Sequence, residues 1–195
     1  MKAGTRALGV AESYRGDEST LAGCVVRADR VVDGFAFSSC TVGGTDATAA
    51  ILDIFAQLDR EDIQHLLVAG IAPAWFNVLD LHRLHDATGL PVLSVSFEAS
   101  AGLEEGIREA FTDEARERRL QTYRAQPPRR PVVVDETRLF VRVAGTSDER
   151  AETVVRGFTP EGGRPEPVRV ARLAARAADA VRRPPNRSPG ETDEE

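Results

Sequence analysis

Three strand-like segments joined by short polar connections open the chain, and they limit its fold more than any other feature. Residues 5–14, 20–27 and 30–37 are rich in the residues that favour strands. Only Ala28-Asp29 separates the second segment from the third. A connection this short joins antiparallel neighbours, because a parallel crossover needs about a dozen residues. The first part of the chain therefore predicts three antiparallel strands.

Helical and strand-like segments alternate through the rest of the chain. Gly43 and Gly44 interrupt the strand pattern, and Thr45 or Asp46 can then cap a helix that runs to about Leu58. Further strands are expected at 65–70, 90–97 and 138–145. Further helices are expected from Asn77 to about Asp86, within 101–124, and at about 148–157 and 167–182. Residues 125–131 interrupt the pattern. This order predicts an α/β fold with a ribonuclease H-like mixed sheet, one of several α/β arrangements.

Length and hydropathy predict one domain over residues 1–182, followed by a disordered acidic tail at 183–195. No apolar run approaches the roughly 20 residues that span a bilayer. The first residues lack the apolar core of a signal peptide, so we expect a cytoplasmic protein without a membrane segment. Cys24 and Cys40 lie in apolar segments without Cys-x-x-Cys spacing. They are therefore expected to be buried reduced thiols and not zinc ligands.

The chain is acidic, with a formal net charge of −6, and Lys2 is its only lysine. Such a composition resembles that of proteins from salt-in halophiles, although a GC-rich genome alone would also replace lysine by arginine. It argues against a broad nucleic-acid-binding surface and leaves a local basic groove open. The arginines at 116–124 are interleaved with acids and predict a solvated helix face.

Four segments carry a resemblance to a known family: 8–17, 32–48, 66–96 and 164–177. Val-Gly-Gly-Thr-Asp-Ala-Thr at 42–48 and Phe-Asn-Val-Leu-Asp at 76–80 are the most specific parts. Together the segments resemble the archaeal domain of unknown function 99 family, which is named endonuclease dU and is similar to endonuclease V. The resemblance implies an endonuclease that acts on deaminated, uracil-containing DNA in repair. It also implies a divalent cofactor, Mg²⁺ or Mn²⁺, held by clustered carboxylates.

The resemblance implies three acidic positions, and this chain keeps only part of them. The first falls at Ala11 and Glu12, where the family commonly has two aspartates. The second falls on Asp46, and the third falls on Ala69, which has no ligand atom. Since side chains alternate between the faces of a strand, Glu12 could replace the acid missing at position 11 only through its length or a bulge. Asp80 could add a ligand, although helix capping is its commoner role.

Catalysis would thus fall to Glu12 and Asp46, with Asp80 as a further metal ligand. Contacts to nucleic acid are expected from Asp17, Trp75, Asn77, Arg129, Arg130, Glu166 and Arg169. Each has an ordinary structural role as an alternative, such as turn formation, core packing or helix capping.

Two hypotheses remain open from the sequence. The first is a metal-dependent endonuclease, and the second is a nucleic-acid- or nucleotide-binding protein whose chemistry has decayed at Ala11 and Ala69. Geometry decides between them, because Glu12, Asp46 and a third acid must converge within about 4–6 Å to share one or two ions. The oligomeric state and the kind of nucleic acid are left open.

Overall fold

A seven-stranded sheet forms the centre of the computed structural model, which describes residues 1–160 and 162–182. In chain order the strands are β1 (Arg6–Arg15), β2 (Glu18–Arg27), β3 (Val32–Thr41), β4 (Ile63–Ala69), β5 (Val92–Ser96), β6 (Arg130–Val134) and β7 (Thr137–Ala144). Their order across the sheet is β3-β2-β1-β4-β5-β7-β6. The first three are antiparallel, whereas β1, β4 and β5 run parallel and β7 returns antiparallel to β5. This arrangement confirms the predicted mixed α/β sheet of the ribonuclease H-like type.

Helices cover both faces of the sheet. They are α1 (Ala47–Leu58), the single turn α2 (Pro73–Phe76), α3 (Leu81–Thr88), α4 (Glu104–Ala110), α5 (Asp113–Arg124), α6 (Asp148–Phe158) and α7 (Glu166–Arg182). Because side chains alternate along a strand, β1 contributes to two cores. Leu8 and Val10 pack with Ile51 and Ile54 of α1. Ala11 packs on the opposite face, where α7 lies.

Helix α7 lies unusually close to β1. A side chain at Gly9 would overlap the backbone of Pro167, and Ala171 and Ala175 of α7 are fully buried. Small residues on both elements therefore allow the helix to approach the sheet closely. This contact positions the first turn of α7 over the middle of β1.

Two sequence predictions are wrong in detail. The helix expected to begin at Asn77 begins at Leu81, because Asp80 accepts a hydrogen bond from the backbone N of Arg83 at 3.0 Å and caps α3. Strand β6 was not predicted, because Pro131 interrupts its pattern. Proline is tolerated there since β6 pairs only with β7 at the edge of the sheet.

The polar stretch at 101–124 forms two helices, α4 and α5. No helix among the described residues is both long and apolar enough to cross a bilayer. The predicted acidic tail at 183–195 lies outside the described residues.

Candidate functional site

Asp46 precedes α1 but does not cap it with its side chain. Its carboxylate turns back to the end of β3 instead. It accepts hydrogen bonds from the backbone N of Thr41 at 3.1 Å, from Thr41 Oγ1 at 2.9 Å and from Asn77 Nδ2 at 2.7 Å. Burial raises the pKa of Asp46, and the hydrogen bonds from Asn77 and Thr41 more than offset it, so that the pKa lies below its ordinary value. Asp46 is therefore an ionised carboxylate whose two oxygens are already hydrogen-bonded.

Asn77 is fully buried and connects three segments. Its Oδ1 accepts a hydrogen bond from the backbone N of Ala47 at 3.0 Å, and its Nδ2 donates to the carbonyl oxygen of Thr41 at 3.0 Å as well as to Asp46. Asn77 thus takes the capping role at α1 that the sequence assigns to Thr45 or Asp46. A side chain buried in this way cannot reach a nucleic acid at the surface, so the predicted contact is not supported.

Glu12 points to the face of the sheet that α1 covers. The β1–β2 register is continuous through the pair Glu12 and Leu21, so no bulge turns Glu12 towards the position of Ala11. Its carboxylate accepts a hydrogen bond from Ser19 Oγ at 2.9 Å. Burial, with the nearby charges of Asp46 and Glu12, raises the pKa of Cys40 to about 12. The negative charges of both acids therefore act on the same buried thiol.

Ala11 and Ala69 lie on the other face of the sheet, beneath α7. Both pack in a small apolar cluster with Cys24, Val26 and Ala171. Close to these strand ends is a cavity of about 10 Å³, whose lining includes Ala11, Glu12 and Ala69. That volume holds about one water molecule, and it does not hold an ion with an octahedral shell of ligands. Apolar packing thus occupies the position where two of the three implied acids would stand.

The residues present do not fit the implied divalent metal. Within residues 1–160 and 162–182, no group of three His, Cys, Asp or Glu side chains could hold an ion. Asp80 is engaged at the start of α3, so the ligand role predicted for it is not supported. Asp17, in the turn between β1 and β2, is joined to the β3–α1 connection only through its carbonyl oxygen, which accepts from the backbone N of Val42 at 2.9 Å.

Glu166 and Arg169 belong to the first turn of α7, on the far face from Asp46. Two hydrogen bonds of 2.7 and 2.6 Å join their side chains. The charge of Glu166 adds to the burial that raises the pKa of Cys24 to about 12, which places this carboxylate near the face that α7 covers. The structure therefore separates Glu166 from the Asp46 and Glu12 pair.

A pocket of about 220 Å³ opens at the carboxyl ends of β4 and β5. Its wall includes Gly70, which has a positive φ of 79° and no heavy atom near the position of a Cβ. The polar side chains that line it are Ser94, Ser96, Glu98, Ser100, Tyr123, Arg129 and Arg142. In open parallel sheets, ligands bind at the carboxyl ends of strands. This pocket is smaller than the roughly 300–1,000 Å³ typical of sites for drug-sized ligands.

Sequence patterns did not identify several of the residues that line this pocket. Arg142 is 8% exposed, and its guanidinium donates to Tyr123 Oη at 2.8 Å and to the carbonyl oxygen of Pro127. Ser94 is also buried, on β5. The available signal was polar residues inside otherwise apolar strands, at 90–97 and 138–145. A buried polar residue in such a strand needs a partner, and the partners of Arg142 come from Tyr123 of the distant helix α5 and from Pro127 beyond the end of that helix.

Arg129 and Arg130 are neighbours with different environments. The guanidinium of Arg129 lies 3.9 Å from the ring centroid of Phe140 and donates to Ser96 Oγ at 3.2 Å and to the carbonyl oxygens of Glu98 and Ser100. Arg130 is exposed and pairs with Asp148 at 2.7 Å. Of the two predicted nucleic-acid contacts, only Arg129 lies in the pocket.

Trp75 is 50% exposed beside the connection between β3 and α1. Its ring contacts Phe111 and Phe76, with centroids 5.3 and 6.1 Å away. Ala74, Trp75 and Phe76 have consecutive positive φ angles of 47°, 54° and 61°. Three such residues in a row are strained, and strain of this kind concentrates at functional sites. Core packing, the alternative role of Trp75, is thus only partly fulfilled, because half of its surface remains exposed to solvent.

A family model for Endonuclease dU matches residues 3–179, nearly all of the described chain. The chain belongs to the Endonuclease dU family. A UPF0215 protein of Thermococcus kodakarensis is 33% identical over 163 residues, covering 83% of this chain and 82% of the relative. The predicted family is thereby confirmed.

Solved structures share the fold of this chain. A protein of unknown function from Archaeoglobus fulgidus is 26% identical, covers 89% of this chain and 98% of its own, and superposes with a TM-score of 0.80. An endonuclease V of Ciona intestinalis, solved with a 23mer DNA containing an inosine, is 15% identical with a TM-score of 0.63. It covers 92% of this chain and 87% of that one. The second likeness concerns the fold alone.

Family membership supports a protein of the nuclease class. The likeness therefore concerns the whole fold, whereas the acidic positions at Ala11 and Ala69 depart from the pattern that the resemblance implies.

Proposed function

We propose that this chain binds nucleic acid with the endonuclease V-like fold and has lost metal-dependent strand hydrolysis. The observation that carries the proposal is the packing of Ala11 and Ala69 with Ala171 in an apolar cluster. Carboxylates cannot be supplied there without replacing this packing. The remaining acids, Glu12 and Asp46, are hydrogen-bonded to Ser19, Thr41 and Asn77.

Binding is supported by the pocket at the ends of β4 and β5. Enzymes that act on a base within a duplex turn it out of the stack and bind it between flat side chains and hydrogen-bonding groups. The pocket offers such groups in Ser94, Ser96 and Arg129, with Tyr123 and Phe140 as aromatic walls. Trp75, half-exposed next to the β3–α1 connection, supplies a surface on which a neighbouring base can stack. A deaminated base such as uracil is the substrate feature that the family implies.

Binding is tested with fluorescently labelled oligonucleotides that carry uracil or thymine at one position, single-stranded and duplex, with EDTA or Mn²⁺. We expect binding that does not depend on the metal and is weakened about 5- to 50-fold by Arg129→Ala. Arg130→Ala is the matched control, since it removes an adjacent arginine that lies outside the pocket. Thermal unfolding of each variant separates lost contact from lost structure. Equal losses in both variants, or no binding by the wild type, would contradict the proposal.

A metal-dependent endonuclease on uracil-containing DNA is the second candidate function. Family membership favours it. The two acids Glu12 and Asp46 also favour it, because the negative charges of both raise the pKa of Cys40. The same oligonucleotides are incubated with Mg²⁺ or Mn²⁺ at low and at molar salt, and the products are separated by size. Cutting that needs the metal and is lost in Asp46→Ala, but not in the control Asp53→Ala on the exposed face of α1, would establish this candidate and overturn the loss of hydrolysis.

A further inference from the structure

Arg119 is buried although the sequence predicts a solvated arginine-rich helix face. Only 7% of its surface is exposed. Its guanidinium lies 3.8 Å from the ring centroid of Phe111 and donates to the carbonyl oxygens of Gly43, Gly44 and Ala115. Its Nε is buried without a hydrogen-bond partner among the described residues. Carbonyl oxygens therefore surround this cation, and no carboxylate of the described chain pairs with it.

A buried charge without an opposite charge is costly, and a bound anion would remove that cost. Burial, together with the charge of Arg118, lowers the pKa of Arg119, which agrees with a local excess of positive charge. Within the described residues Arg119 holds the β3–α1 connection through the carbonyl oxygens of Gly43 and Gly44, stacks on Phe111 and bonds the carbonyl oxygen of Ala115. A neutral donor would serve that role without burying a charge.

Two further arginines line the same small pocket, which has a volume of about 140 Å³. Arg83 is exposed at the start of α3. Arg118 pairs with Glu114 at 3.3 Å, but both side chains are more than half exposed, so the pair is weak. Asp80 also lines the pocket, and its Oδ1 is occupied by the backbone N of Arg83.

Hydroxyl groups and the first turn of α1 complete this arginine pocket, which we define by Arg83, Arg118 and Arg119 with Thr45 and Thr48. Thr45 adds a hydroxyl donor. Thr45 precedes α1 and Thr48 lies in its first turn, so the pocket adjoins the positive end of this 12-residue helix, which favours an anion. A guanidinium group binds two phosphate oxygens through two parallel hydrogen bonds. The arginine donors of this pocket therefore suit a tetrahedral anion such as phosphate.

We propose that the arginine pocket binds a backbone phosphate of the nucleic-acid strand, next to Trp75 and on the α1 side of the sheet. The inference rests on the proposed function and adds to it the position of the strand. Trp75 contacts Phe111, which in turn lies on the guanidinium of Arg119. A strand whose phosphate occupies the pocket therefore passes the exposed face of the indole. Asp46 stands at the same helix start, so the strand would pass that acid too.

The single tryptophan of the chain makes this testable, because intrinsic emission reports on Trp75 alone. Wild type, Arg83→Ala/Arg118→Ala and Arg150→Ala/Arg156→Ala are titrated with a single-stranded oligonucleotide at several salt concentrations. The second variant is the matched control, since it also removes two exposed arginines, here on α6. Arg156 forms an exposed i,i+4 pair with Glu152, as Arg118 does with Glu114. Arg83 and Arg118 are exposed, so their removal leaves the fold intact. Arg119→Gln also removes the hydrogen bonds to the carbonyl oxygens of Gly43 and Gly44, so the fold of this variant is checked by circular dichroism.

We expect nucleic acid to quench the emission of the wild type. In Arg83→Ala/Arg118→Ala the affinity should fall about tenfold, and the slope of log affinity against log salt should become shallower by about 0.7, the value for one phosphate on a single strand. A slope unchanged in Arg83→Ala/Arg118→Ala would overturn the pocket while leaving nucleic-acid binding intact. An equal change in Arg150→Ala/Arg156→Ala would attribute the effect to net charge and overturn the pocket as well. A wild type that binds no oligonucleotide would overturn the proposed function together with this inference.

Discussion

At the scale of single residues, partner groups decide the role of each acid. Asp46, Glu12, Asp80 and Glu166 look equivalent as carboxylates in the sequence. In the structure Asp46 is held by Thr41 and Asn77, Glu12 by Ser19, Asp80 by the start of α3 and Glu166 by Arg169. Each acid is therefore hydrogen-bonded within the protein. The charges of Asp46 and Glu12 both act on Cys40, and Asp80 is joined to the first turn of α1 through Thr48.

The ionised carboxylate of Asp46 should stabilise the folded protein only at pH values above the range in which it becomes protonated. Its folded-state pKa lies below the value of about 3.9 for an unfolded aspartate. The hydrogen bonds to the charged form thus stabilise the protein above pH 4, and the contribution is lost as the pH falls through the folded pKa. Asp46→Asn should be less stable near neutral pH, with a difference from wild type that shrinks between about pH 5 and 2. Urea unfolding across that range measures this, and a difference independent of pH would contradict it.

At the scale of elements, small residues let α7 pack closely on β1. Asp179 of α7 also accepts a hydrogen bond from Ser13 Oγ and pairs with Arg15, each at 3.4 Å. Gly9 lies against Pro167, and Ala171 and Ala175 fill the rest of the interface. Ala11 and Ala69, at positions where the resemblance implies acids, pack against Ala171 in the same interface.

Gly9→Ala should destabilise the protein by at least about 1–3 kcal/mol, because the added methyl group overlaps backbone that cannot rotate away. Gly4→Ala is the control, since nothing lies within 4 Å of the position of its Cβ. Chemical denaturation of both variants gives the two free energies of unfolding. Equal stabilities would mean that α7 shifts at little cost, and the close approach would then not be a constraint.

At the scale of the whole molecule, the negative net charge of the protein repels a negatively charged nucleic acid. The net charge is −6, so a phosphate backbone is attracted only where arginines are concentrated, as at Arg83, Arg118 and Arg119. Sparse basic sites in an acidic surface make binding local and strongly dependent on salt.

Salt should act in opposite directions on folding and on binding. Raising KCl from 0.1 to 2 M shortens the screening length from about 10 Å to less than 3 Å, which relieves repulsion among the acids. The midpoint of thermal unfolding should therefore rise by several degrees, while the affinity for an oligonucleotide falls. Differential scanning fluorimetry and fluorescence titration in the same buffers measure both. An unfolding midpoint that falls with salt would contradict the view of the chain as adapted to high salt.

Local patterns predicted the order of strands and helices, which left several α/β arrangements open, and the resemblance of four segments to a known family selected among them. Strand alternation, short connections and the segment around Asp46 depend on neighbouring residues, so they can be interpreted without knowing the fold. The edge strand β6 was missed because Pro131 is acceptable only where one side of a strand is unpaired, and pairing is not visible locally.

Only the tertiary structure decided which side chains meet. Glu12 stands one position from Ala11, yet it points to the opposite face and joins Ser19. Arg119 belongs to a charged helix, yet it is buried because β3 and α1, about 75 residues earlier in the chain, bring the carbonyl oxygens of Gly43 and Gly44 to it. Contacts of this separation depend on how the helices lie on the sheet, and no local pattern contains that information.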